Sequence, residues 1–491
     1  MKKDITLVCI STSQPHTALP GPLYIAAVLE KAGHGVDFRD YAVRSYWDLD
    51  APGLLSDLED SANVIGVSCT SDLLPFVICT LKGLKQRHPG KTVILGGVGP
   101  TGVATEILEH FPFIDIVVLG EGESTILEVM ECLAQGERSD LKLVKGICYR
   151  DGEVVFMTPA RERIKDLDQL PFPLYECVRM QEFPLINIVF SRGCPYKCTF
   201  CDVAPMWKHR NYRRSIDGVI SEIRFLKNRY GNTDFEFTDE TFVLDRDEIM
   251  AFCEKLRREQ IGITWACTGR INLITDELLV EMASSGCKAI FYGIESGSDR
   301  VLERMKKDFS AQEAVEIIRK TLDHMSAVAS FIWGFPFETE DDLLKTLLLM
   351  VYLSQMGVDT RLNRLAPFAL TPLYREYGNR LIYFEKSYAF SPGDPFQSQS
   401  HRSDIRDLIR GFPSVFPEFS WFPAERLAEK GRLIEALNSQ WYKQDWPPSQ
   451  AQLSSSTKLG SAAGLGPAAE LGSSANLDST PGLGSAAKLS F

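Results

Sequence analysis

Three cysteines crowd into one short stretch, Ser191-Arg192-Gly193-Cys194-Pro195-Tyr196-Lys197-Cys198-Thr199-Phe200-Cys201-Asp202, at spacing C-x3-C-x2-C. No further cysteine follows until Cys253. Three thiolates on one tight loop can each reach one iron of a cuboidal cluster. Iron–sulfur clusters normally take four thiolates, so a loop that offers three leaves one iron open. An open coordination position separates a catalytic metal site from a closed structural one. A structural zinc knuckle is the plain alternative, but it lacks a fourth ligand nearby and the usual pair of C-x2-C units. Unrelated core thiols are a third reading.

The elements around this loop read as alternating strands and helices. Apolar, β-branched runs at 5–11, 36–41, 64–70, 92–98 and 116–119 are separated by helical patterns at 23–31, 75–87 and 103–110. That order predicts a doubly wound α/β domain over 1–140. Ligands of such sheets bind outside the carboxyl ends of the strands. Those ends carry Ser11, then Ser68, Thr70 and Ser71, then Gly96, Gly97 and Gly99, then Gly120, Glu121 and Gly122. A glycine pair at a strand end lets a bulky ligand approach the backbone, because no Cβ intervenes. A hairpin around Asp151-Gly152 and a proline-broken stretch form a junction over 141–185.

From residue 186 the alternation resumes, which predicts a partial (β/α)6 barrel over 186–385 with its active face at the carboxyl ends of the strands. One such end carries Thr238, Asp239 and Glu240, another Gly269-Arg270, and a third Gly293-Ile294-Glu295-Ser296-Gly297. For Asp239 or Glu240 alone a helix cap is an equal reading, and for Arg270 a surface salt bridge is. Thr339 and Glu340 read as the capping start of a helix over 341–353. Cys253, Cys267 and Cys287 have apolar neighbours and read as buried small hydrophobes. Residues 386–445 predict a small helical cap that shapes the substrate site. Beyond it, leucines at 453, 459, 465, 471, 477, 483 and 489 mark a six-residue repeat over 446–491. So few units hold too little core to stand alone, and the tail is expected to be disordered.

Composition excludes several partners. A formal net charge of −12 without a basic stripe argues against nucleic acid. Twelve cysteines and no export signal point to a reducing cytoplasm. No apolar run reaches the length of an integral membrane segment.

The cysteine loop, with Phe200 before its third cysteine, resembles the radical S-adenosylmethionine (SAM) superfamily signature CxxxCxΦC. The resemblance implies a 4Fe–4S cluster on Cys194, Cys198 and Cys201, with SAM on the open iron. It also implies an external electron donor of the flavodoxin or ferredoxin type. Thr238, Glu295 and Ser296 match strand ends that face SAM in that family, Asp239 and Glu240 would orient SAM or substrate, and Arg270 would meet the methionyl carboxylate. The strand-end segments Gly334-Phe335-Pro336-Phe337-Glu338-Thr339 and Leu365-Ala366-Pro367-Phe368 follow the same family order. The first domain is similar to the cobalamin-binding domain found ahead of many radical SAM domains, through residues 22–34, Gly96-Gly97 and Gly120-Glu121-Gly122-Glu123. It lacks the Asp-x-His-x-x-Gly loop of the carriers that ligate cobalt through histidine. His16 stands in that loop as a ligand or as a solvent-facing residue, and a domain that kept the fold without the cofactor is the alternative. The implied activity is a methyltransferase that modifies an unactivated carbon of a small-molecule substrate through a deoxyadenosyl radical and methylcobalamin. A tetrapyrrole-type oxidative cyclase and a non-catalytic cobalamin or redox sensor are the other readings.

Overall fold

A computed structural model of the chain describes residues 3–10, 19–41, 51–136, 138–183, 185–383 and 403–441. Ser11, His16 and the repeat tail lie outside the described residues. The first sheet is built from β1 (Ile5–Cys9), β2 (Val36–Asp40), β3 (Val64–Ser68), β4 (Thr92–Gly96) and β5 (Ile116–Val118). All five run parallel, in the order β2-β1-β3-β4-β5. Such short β-branched strands are buried on both faces because helices cover each side. Helices Pro20–Lys31 and Glu123–Gln135 press Ala26, Leu29, Ile126 and Val129 onto Ile5 and Leu7. On the other face, helix Leu74–Arg87 packs Phe76, Ile78 and Leu81 against Val8 and Val67. This is the doubly wound arrangement that the alternation predicted.

The hairpin expected at the junction belongs to this sheet. Its strands β6 (Ile147–Asp151) and β7 (Val154–Met157) turn at Gly152, whose φ of 59° suits glycine. β6 pairs antiparallel with β5, which covers an edge that would otherwise leave backbone groups unpaired.

The second sheet holds β8 (Ile186–Ile188), β11 (Asp234–Phe237), β12 (Thr264–Gly269), β13 (Cys287–Glu295), β14 (Ser326–Trp333) and β15 (Asp359–Arg364), all parallel and in that order. Between β8 and β11, the two-residue strands β9 (Ser191–Arg192) and β10 (Tyr212–Arg213) pair antiparallel. They close the neck of the cysteine loop. Phe190, Phe237, Phe242, Phe252 and Trp265 form an aromatic core under the first strands, with ring centroids 4.6–6.3 Å apart. The crossover helices have well-made starts. Ser215, Asp245, Thr275, Ser310 and Thr339 each accept a backbone N–H from the third residue on, a cap that contributes about 1 kcal/mol. Thr339 and Asp342 complete a capping box, as expected for that segment. Cys253, Cys267 and Cys287 are buried in this core. No helix among the described residues is long and apolar enough to cross a membrane.

Candidate active site

The cysteine loop leaves β9 at Gly193, where φ is 98° and a Cβ would run into the Arg210 carbonyl oxygen. Only glycine fits such a turn. Asn211 ties the two ends together, donating to the Gly193 carbonyl at 2.6 Å and to Ser191 Oγ at 3.0 Å. Two carboxylates from the end of β11 hold the approach. Asp239 accepts the Phe190 N–H at 3.1 Å and Glu240 accepts the Gly193 N–H at 2.8 Å. Burial pushes the Asp239 carboxyl up to about 6 and raises Glu240 as well. Neither residue caps a helix. Glu240 and the neighbouring Thr238 line the cavity described below, and Asp239 does not.

Cys194, Cys198 and Cys201 are free thiols, each partly exposed. Burial raises Cys194 and pushes Cys201 up to about 12, and a thiol that ligates a metal loses its proton to it. Among the described residues, no three Cys, His, Asp or Glu side chains converge on a single-ion site. In a cuboidal cluster each thiol binds a separate iron, so the three need not converge on one point. Three thiols on one loop are a donor set that fits a 4Fe–4S cluster with one iron left open.

Arg270, expected at a strand end of the barrel, stands beside the cysteine loop. Its guanidinium lies on the cysteine loop, 3.7 Å from Cys198 Sγ and stacked 3.8 Å from the Tyr196 ring centroid. Its remaining donors go to Asn272 Oδ1 at 3.1 Å, Asp308 Oδ2 at 3.2 Å and the Lys307 carbonyl. It is buried, so it is not a surface salt bridge. The Cys198 contact ties the end of β12 to the cysteine loop. Phe200 packs edge-on against Phe335 at 5.8 Å and lies 5.6 Å below the Lys307 ammonium.

Lys307 connects this loop to the end of β13. It donates to Glu295 Oε1 at 2.9 Å and to the Gly293 carbonyl at 2.8 Å. Glu295 itself adopts a left-handed φ of 73° beside a bulge in the β13–β14 pairing. A non-glycine residue held there stores strain of the kind found at functional sites. Ser296 is different. It is fully buried, bonds Thr346 Oγ1 at 3.2 Å and accepts the Ser298 N–H at 3.1 Å. The hydroxyl anchors the turn to helix Glu340–Gln355 and does not face a ligand.

The expected ligand face of the first sheet opens on a cavity of about 330 Å³, a size typical of small-molecule sites. It lies at the carboxyl ends of β1, β3, β4 and β5, next to the switch point between β1 and β3. Ser68, Gly96, Gly97, Gly120, Glu121 and Gly122 line it, as expected. Across from them stand Arg192, Thr238 and Glu240 of the barrel and Met206 and Trp207 from the cysteine loop's return. A Cβ at Gly96 or Gly120 would meet nothing within 4 Å, so the backbone there is bare to a ligand. The bare backbone and the apolar walls suit a ligand that lays an apolar face on these strand ends.

Thr70, Ser71 and Gly99 do not line the cavity. A Cβ on Gly99 would stand 2.6 Å from the Thr70 carbonyl carbon, so this part of the β3 loop packs on the glycine turn. Glu121 lines the cavity, but its carboxylate is occupied by Arg163 at 2.9 Å, Arg192 at 3.2 Å and the Ile164 N–H at 3.0 Å. Arg163, Met206 and Trp207 carry no motif, and Arg163 meets Glu121 and Trp207 from more than forty residues away in sequence. Arg192 stood inside the quoted stretch, one residue before the signature glycine–cysteine pair, without a role that spacing could assign.

Comparison with known proteins agrees with both halves of this geometry. Residues 188–350 match the Radical SAM superfamily and residues 7–130 match the B12 binding domain. An uncharacterised methyltransferase of Pyrococcus horikoshii is 28% identical over 71% of this chain and 77% of its own length. The anaerobic magnesium-protoporphyrin IX monomethyl ester cyclase of Rubrivivax gelatinosus is 27% identical over 66% of this chain and 60% of its own. Among solved structures, the radical SAM methyltransferase TsrM of Kitasatospora setae superposes with a TM-score of 0.65 at 16% identity, covering 87% of this chain and 95% of that one. The cofactors that go with these domains are a 4Fe–4S cluster, SAM and cobalamin. The chain thus carries a B12-binding domain over residues 7–130 ahead of a radical SAM domain over residues 188–350.

Proposed function

We propose that the chain is a cobalamin-dependent radical SAM methyltransferase acting on an unactivated carbon of a small-molecule substrate. One observation carries the reading. A single cavity is walled by the strand ends of the B12-binding domain on one side and by Thr238, Glu240 and the root of the cysteine loop on the other. Bound together, the cluster, SAM and cobalamin supply an electron, a deoxyadenosyl radical and a methyl carrier. The protein's share is placement. Cys194, Cys198 and Cys201 present three thiols, Arg270 contacts the Cys198 sulfur, and the Glu240–Gly193 bond fixes the loop's root. The cavity's apolar walls, among them Leu7, Val67, Ile94 and Ile126, exclude water around a reactive carbon centre. A one-electron donor of the flavodoxin or ferredoxin type completes the reading.

The magnesium-protoporphyrin cyclase likeness favours a second reading, oxidative cyclisation with the same cofactors. Anaerobic reconstitution with iron, sulfide and SAM, with and without hydroxocobalamin, tests both. Deoxyadenosine formation is expected in dithionite, and transfer of a labelled SAM methyl group to product separates methylation from cyclisation. If no cobalamin is taken up, both readings fall back to a plain radical SAM enzyme.

A further inference from the structure

Where the first sheet meets the barrel, four charged side chains form one closed, buried network. Arg192 Nη2 lies 2.7 Å from Glu123 Oε1 and its Nη1 lies 3.2 Å from Glu121 Oε1, while Arg163 Nε lies 2.9 Å from Glu121 Oε2. The four side chains are between 5% and 10% exposed, and their charges cancel. Replacing such buried ion networks by apolar side chains is often neutral or stabilising, so stability alone does not explain this one. The network is better explained by what it joins.

At one end, Glu121 and Glu123 follow β5 and line the corrin cavity together with Arg192. At the other end, Arg192 stands two residues before Cys194. Arg163 donates to the Arg192 carbonyl at 3.2 Å and to the Trp207 and Arg210 carbonyls at 3.1 Å each, so it clasps both ends of the cysteine loop. It also lies 4.3 Å from the Trp207 ring centroid, and Trp207 lines the same cavity. Any ligand that fills the cavity presses on the residues that aim the cysteine loop.

We infer that Glu121, Glu123, Arg163 and Arg192 are positioning residues that couple corrin occupancy to the geometry of the cluster loop, so that cobalamin tightens SAM binding; this rests on the cobalamin reading above. Coupling of this kind is reciprocal, and SAM must then tighten cobalamin by the same factor.

The test titrates SAM into the reconstituted full chain and follows the electron paramagnetic resonance signal of the reduced cluster, with and without hydroxocobalamin. The wild-type chain is expected to bind SAM at least about fivefold more tightly with cobalamin present. Arg163→Lys, which breaks the fork to Glu121 and to the loop carbonyls at a residue outside the cavity lining, should keep its iron and cobalamin but bring that ratio below about twofold. Glu123→Gln, which removes one contact of Arg192 and leaves the Glu121 bonds in place, serves as the milder variant and should give an intermediate ratio. A wild-type chain that binds both cofactors with no effect of one on the other overturns the inference alone, and so do variants that retain the full ratio. A wild-type chain that takes up no cobalamin overturns the cobalamin reading with it.

Discussion

Two adjacent glycines at the end of β4 do different jobs, and a substitution at each tells them apart. Gly97 has a φ of 95° and a Cβ there would stand 2.8 Å from the Cys69 carbonyl oxygen, whereas Gly96 faces open space in the cavity. Gly97→Ala is therefore expected to lower the melting temperature through backbone strain, by about 1 kcal/mol or more of stability. Gly96→Val should leave melting nearly unchanged and cut cobalamin uptake, read from the corrin absorption of the reconstituted protein. At the cysteine loop, alanine at Cys194, Cys198 or Cys201 should reduce bound iron from about four per chain to near zero, read by iron assay and the visible charge-transfer band. The cysteines were legible because their spacing is local and their chemistry narrow. Arg270 and Ser296 were placed on the right strand ends, but their protein partners were not legible. A strand end specifies where a side chain starts, and the loop packed against it decides where the side chain goes. Cys198 lies 72 residues from Arg270 in sequence and Thr346 lies 50 from Ser296, distances at which no local pattern operates.

At the scale of elements, the turn Gly334–Glu338 shows how the barrel is tied to the C-terminal segment. Glu338 accepts the Gly334 N–H at 3.0 Å and faces Lys430 Nζ at 3.5 Å, while Lys430 donates to the Glu338 carbonyl at 2.6 Å. Burial pushes the Glu338 carboxyl up to about 7, so the folded chain holds this proton more tightly than the unfolded one. The favourable contribution is complete below the unfolded value and is lost as pH rises to about 7, a change of about 3 kcal/mol at most. Glu338→Gln should flatten that slope, measured by chemical denaturation at a series of pH values from 4.5 to 8. Trp421 caps the same turn, with its ring 5.1 Å from Trp333 and under the Arg364 guanidinium at 4.6 Å. Trp421→Ala should cost about 3–5 kcal/mol, read by thermal unfolding. The strands and most helices were legible from apolar runs and cap residues such as Ser215 and Thr339. Helix Glu123–Gln135 was passed over because its start, Gly-Glu-Gly-Glu, reads first as a ligand loop; the structure makes it both.

Across the whole molecule, the segment from Ser403 to Trp441 belongs to two cores at once. Ile405, Ile409, Val415, Phe416 and Phe419 complete the core of the first sheet, and Trp421, Phe422, Leu427 and Ile434 complete that of the barrel. The sequence suggested a cap on the barrel; the aromatic-rich composition fits that role but cannot say that half the segment turns back to the B12-binding domain. This straddling has a consequence for biosynthesis. The first sheet leaves the ribosome early, yet the side chains that seal its helix Leu74–Arg87 arrive only after the entire barrel has been made. At about 5–20 residues per second the wait is roughly 10–50 s. Until then, the apolar side chains of the first domain that Ile405, Ile409 and Phe416 cover in the finished chain have no such cover.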